Sequence, residues 1–201
     1  MSGMLYALKK IVISDERRSN WDGLDPKAKR LLDQIAEQFR QIDKWLLAIL
    51  KDPETNTVGA RGNDDKKKME PIWQKAPEEH RQLQTYIERP GFENPWDYLS
   101  DHSVLDPWRA AFQLTTACLS VYRETTHTCF EIRASVRSLA PLIQEAASFR
   151  NVFPHIHQGV RLRCEALDAW AKALSRFWDE KDINSMFSLH NMCRHSMKSY
   201  S

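Results

Sequence analysis

Glycine is scarce in this chain, with six among 201 residues. A β-rich fold draws on glycine for tight turns at short intervals, so the shortage argues against one. No apolar run approaches the roughly 18 residues that cross a bilayer. The start, Met1-Ser2-Gly3-Met4, lacks the basic-then-apolar pattern of a secretory leader. The four cysteines, Cys118, Cys129, Cys164 and Cys193, form no CxxC pair. Three of them sit inside helical patterns, where a thiol behaves as a small hydrophobe. These absences point to the cytoplasm and away from the membrane. There is no GxSxG nucleophile turn and no Gly-rich phosphate loop, which removes serine-hydrolase and P-loop chemistry. A dominant sign of charge is missing too. Lys+Arg total 29 against 27 Asp+Glu, and a net +2 advertises neither nucleic acid nor acidic lipid.

What is present is helical periodicity. From residue 25 to about 50, Leu31, Leu32, Ile35, Phe39, Ile42, Trp45, Leu46 and Ile49 recur at spacings of three and four. That is an amphipathic helix, with Asp25 to cap it, Pro26 at its first position and Asp52-Pro53 to end it. Upstream, residues 4–14 fit a short helix or a strand equally well. Between residues 52 and 77 the pattern collapses into Thr55-Asn56-Thr57, Gly59, Gly62, Asn63-Asp64-Asp65 and Lys66-Lys67-Lys68. This predicts one long mobile surface loop, either a tolerated insertion or a segment that contacts a ligand or partner. A short helix from Pro77 to Glu88 comes next, and Pro90-Gly91 and Asn94-Pro95 break the chain again.

The second half, from about residue 96 to 201, reads as nearly uninterrupted helix, with no glycine between Phe92 and Gln158. Asp106-Pro107 opens a long stretch carrying Trp108, Ala111, Phe112, Thr115, Cys118, Leu119 and Tyr122 on one stripe. Pro141 and Pro154 punctuate the chain beyond that stripe. A strong helix after Gly159 holds Leu162, Leu167, Trp170, Ala171 and Leu174, and residues 183–198 make a weaker last one. The expected fold is all-α: a bundle of five to seven helices in a single domain over residues 1–201. Of the seven tryptophans, Trp45, Trp108, Trp170 and Trp178 fall on apolar stripes and suit a core. Trp73 and Trp96 fall in Pro-rich connections and are the better candidates for a partner interface.

The near-neutral total hides a local imbalance. Residues 132–164 hold five arginines (Arg133, Arg137, Arg150, Arg161 and Arg163) and two histidines against one acid, Glu145. Arginine grips phosphate through a permanently charged fork, and histidine exchanges protons near neutral pH. Arginine and histidine without acidic metal ligands suit metal-independent phosphodiester cleavage.

Arg150-Asn151-x-x-x-His155 resembles the Arg-x4-6-His motif of HEPN domains, small helical bundles of which many are ribonucleases in defence systems. The local likeness is to HEPN toxins that pair with nucleotidyltransferase antitoxins. In those, Arg-Asn-x-x-x-His is followed two residues on by tyrosine, then by an apolar helix. Here His157 stands at the tyrosine position and Gly159-Val160-x-Leu162 leads into the helix. The resemblance implies RNA as substrate, a homodimer with both motifs at one cleft, and an antitoxin or other protein partner. It implies catalytic roles for Arg150 and His155, with Asn151 orienting the pair. His157 is a second proton carrier in this reading, and Arg161, Arg163 and Arg137 are the RNA-binding candidates. A plainer alternative makes Arg150 a helix C-terminal cation and residues 154–159 an interhelical loop, in a non-enzymatic module that binds protein or coats nucleic acid. His155 and His157 with His190, Cys193 and His195 supply zinc-type donors, but at no specific metal spacing, so no metal or other cofactor is expected.

Overall fold

The computed structural model describes residues 21–53, 63–122, 127–146 and 154–174. The expectations for residues 4–14 and 183–198, for Trp178, and for the 54–62 part of the loop lie outside them. Among the described residues there are six complete helices and no strand, an all-α bundle as the composition implies.

Helix α1 (Pro26–Lys51) has the termini the sequence signals. Asp25 accepts a hydrogen bond from the Lys27 N–H at 3.0 Å, Pro26 opens the helix, and Asp52 caps its far end. Its stripe from Ala28 to Leu50 is buried except at Trp45, which is half-buried against the core, and Phe39 and Ile42 are wholly buried.

Helix α2 (Asn63–Ile87) corrects the long-loop expectation. Residues 63–77 are helical, so the short helix read from Pro77 is the second half of a longer one. Asp64 and Asp65 lie in the first turn, where carboxylates complement the helix dipole. The lysine run forms an exposed flank, while Met69, Ile72, Ala76, Leu83 and Tyr86 are buried. Both Pro71 and Pro77 sit inside the helix.

A turn then carries Gly91 at φ 92°, a conformation an L side chain resists. It leads into the six-residue α3 (Pro95–Ser100), capped by Asn94, whose side chain accepts from the Trp96 N–H at 2.8 Å. Three longer helices complete the bundle: α4 (Leu105–Tyr122), α5 (His127–Ala146, continuing through Pro141) and α6 (Pro154–Leu174).

The broad apolar face of α1 finds several partners. It packs chiefly on α5 and also on α2, α3 and α4. Helix α4 lies between α2 and α6, and α6 reaches back to α3. Buried side chains from all six helices join in one hydrophobic cluster. Trp96 belongs to it at 5 % exposure, and Trp73 is half-buried against it, so Trp96 is core and not a connection offered to a partner. No helix of the described residues is long and apolar enough to cross a membrane.

Candidate functional site

The basic segment of residues 132–164 runs into α6. Residues 154–159, an interhelical loop in the plainer alternative, form the first turns of that helix, with Pro154 as its first residue. Proline suits that place because its fixed φ is helical and its missing N–H would find no intrahelical acceptor anyway. His155 therefore stands in the first turn of α6. Arg150 and Asn151 lie outside the described residues. Positions two apart do not face each other on a helix, so 155 and 157 are not brought onto one face by the backbone. His157 and Arg161, four apart, are on one face. The His157 ring is half-buried, and its pKa lies below the usual histidine value because burial disfavours the charged form and the Arg161 cation adds repulsion. The imidazole is therefore neutral at pH 7. Arg161 is exposed and pairs with Glu165 at 3.8 Å. Arg137 is exposed on α5, the helix that packs on α1.

Arg163 is a correction. Proposed from sequence as an RNA contact, it is fully buried, at 0 % exposure. Its Nη1 donates to the carbonyls of Leu99 at 3.1 Å and Gly159 at 3.2 Å. Nη2 donates to the Tyr98 carbonyl at 2.7 Å and the Tyr86 hydroxyl at 3.1 Å. Tyr98 and Leu99 are in the last turn of α3, whose carbonyls have no intrahelical N–H to meet. A cation there satisfies the carbonyls and suits the negative end of the helix. Gly159 makes the approach feasible. A Cβ on it would stand 1.8 Å from the Leu99 carbonyl oxygen, so at this position any side chain collides with the α3 backbone.

Sequence reasoning missed the counter-charge. Asp43, at 1 % exposure, lies on the α1 stripe between Phe39 and Leu46. Its carboxylate accepts from the Tyr98 hydroxyl at 2.7 Å and the Trp108 indole N–H at 2.6 Å. Burial pushes its pKa up to about 6, against the lowering pull of these hydrogen bonds and of Arg163 and Arg40. Two guanidinium groups lie over the Tyr98 ring, with Arg163 and Arg40 each 4.9 Å from its centre. Burial and the nearby Asp43 push the Tyr98 phenol well above its ordinary value, so it stays a donor. Asp43, Tyr98, Trp108 and Arg163 thus tie α1, α3, α4 and α6 together. The available signal was a carboxylate and a guanidinium each falling in step with apolar helical stripes, where an ionised group needs a partner.

On its other side α6 forms a groove with α4, a cavity of about 800 Å³. Phe112, Ala117, Leu162, Ala166, Ala169 and Trp170 supply its apolar surface. Phe112 stacks on Trp170 with ring centres 4.9 Å apart, joining the two helices. Among the described residues no three His, Cys, Asp or Glu side chains converge to hold a metal ion, and His190, Cys193 and His195 lie outside them. Comparison with known proteins returns no matching family model, no similar curated protein and no similar solved structure.

Proposed function

We propose that the chain is a HEPN-like, metal-independent endoribonuclease, working as a homodimer in a toxin or defence setting with a protein antitoxin as partner. The observation that supports this reading is the sequence motif Arg150-Asn151-x-x-x-His155 in an all-α protein, with His155 in the first turn of α6. His155 is in the first turn, where backbone N–H groups without intrahelical acceptors favour a phosphate.

The chemistry is transesterification. The RNA 2′-oxygen attacks phosphorus as a base removes its proton, and the bond from phosphorus to the 5′-oxygen breaks as an acid protonates that oxygen. The products are a 2′,3′-cyclic phosphate and a 5′-hydroxyl. His155 is one proton carrier, and Arg150 stabilises charge on the phosphorane oxygens with Asn151 orienting the pair. His157, neutral at pH 7, suits a second proton carrier acting as base. Arg161 and Arg137 remain as the exposed cations for RNA backbone, and Arg163 has no part in it.

The test is cleavage of a single-stranded RNA in EDTA by the wild type, Arg150→Ala and His155→Ala. Loss of about 100-fold or more in both variants is expected. Cleavage indifferent to both substitutions, or no cleavage by the wild type, returns the protein to a non-enzymatic helical module.

A further inference from the structure

The charged side chains around Asp43 converge on one small element, residues 89–101, which comprise the Gly91 turn and the six-residue α3. Arg40 of α1 donates to the carbonyls of Phe92 at 2.6 Å and Glu93 at 3.2 Å. Arg163 of α6 donates to those of Tyr98 and Leu99, and Asp43 of α1 accepts from the Tyr98 hydroxyl. We propose that this segment is a strap whose opening is coupled to ionisation of Asp43, a pH-sensitive latch that holds α3 closed in acid and loosens towards neutral pH. This goes beyond the ribonuclease reading and does not depend on it.

The geometry is that of a cover over a buried carboxylate. Asp43 is 1 % exposed, yet Arg40, one turn earlier on the same helix, is half-buried and meets Glu93 at the surface. Solvent therefore stands about one helical turn from Asp43. The Tyr98 ring, with the Arg40 guanidinium over it, covers the carboxylate from that side. Arg89 clasps the two ends of the strap, donating to the Ser103 hydroxyl at 2.8 Å and pairing with Asp101 at 3.4 Å. The segment is thus a closed surface loop that can lift as a unit.

The groups facing Asp43 set the direction of the pH effect. Tyr98 of α3 and Trp108 of α4 donate to it, Arg163 of α6 and Arg40 of α1 favour its charge, and Tyr86 of α2 is close enough to feel that charge. Helix α5 packs on α1 with Ile132, Val136, Leu139 and Ile143 buried, while its Arg137 and Glu145 are exposed and Glu131 is half-buried. Burial outweighs the favourable contacts and raises the carboxyl from 3.8 to about 6 while the strap is closed. Once the strap lifts, Asp43 is hydrated and returns towards its ordinary value. Opening therefore releases a proton, and rising pH favours it.

Hydrogen exchange of the full chain, read by mass spectrometry at about pH 4.5 and 7.5, tests the latch. Each rate is divided by that of an unstructured peptide at the same pH. The reporters are the α3 amides, among them Tyr98 and Asp101, which donate to the Asn94 and Asp97 carbonyls. Protection of residues 96–101 is expected to fall roughly 20-fold between the two pH values. It should also be at least about 10-fold lower than that of the buried α5 residues at both, the mark of local opening. Asp43→Asn keeps the size of the side chain but cannot ionise, and should remove the pH dependence. Three results overturn the proposal: α3 protection that does not change with pH in the wild type, an equal change in Asp43→Asn, or protection equal to that of α5, which makes the opening global unfolding. The first and third are read in the wild type alone, so the test stands even where the variant does not fold.

Discussion

Helix α6 meets its two neighbours in opposite ways. Against α3 it is closed: Gly159 lets the backbones touch, and Arg163 fills the contact with hydrogen bonds to two carbonyls at the end of α3. Against α4 a groove is left open, lined in part by Ala166, Ala169 and Ala173, with Phe112 stacked on Trp170 between the two helices. Small residues line both contacts, so size alone does not decide which one shuts. The difference is the buried charge. Arg163 has an anchorage in the α3 carbonyls with Asp43 nearby, whereas the α4 member of that network, Trp108, bonds to Asp43 on α1.

The largest way to break this contrast is Arg163→Ala. It leaves Asp43 in the core without one of the two cations that favour its charge and strips two helix-end carbonyls of a donor, at about 3–5 kcal/mol of stability in urea unfolding. Gly159→Ala forces α6 off α3 and is expected to cost about 3 kcal/mol, the upper range for overpacking, read as a lower Tm.

Asp43→Asn sharpens the contrast through pH. The folded pKa of about 6 stands above the unfolded 3.8, so the native state holds this proton more tightly. Its stabilising contribution is complete below about pH 4 and is lost as pH rises through 6, on the order of 3 kcal/mol. Unfolding midpoints of wild type and Asp43→Asn should therefore diverge between pH 4 and 7, with the wild type losing more stability as pH rises. The smallest effect is expected of Arg161→Ala. Only two positions from Arg163 but exposed and paired with exposed Glu165, it should change stability by no more than about 0.5 kcal/mol.

That pair of arginines marks how far the sequence could be read. Helix α1 was legible to its caps because Asp25, Pro26 and Asp52 each carry a terminal signal and the stripe between them is dense. The first half of α2 was not, because its buried positions are sparse and two prolines suggest breaks that the helix absorbs. Which arginine turns inward depends on where α3 lies, a tertiary fact that spacing on α6 leaves open. The cysteines at 118 and 164 are core residues, as their apolar neighbours imply. Gly159 reads in the sequence as the boundary before a helix, whereas α6 runs through it from Pro154, and its role belongs to the Leu99 carbonyl across from it.

The proposed chemistry belongs to the start of α6 and not to the groove along it. Cleavage of RNA in EDTA by the wild type, His155→Ala and Ala169→Lys, measured side by side, tests this most directly. The expected result is a loss of about 100-fold or more for His155→Ala and wild-type cleavage for Ala169→Lys. Equal cleavage by all three proteins, or loss confined to Ala169→Lys, would contradict it.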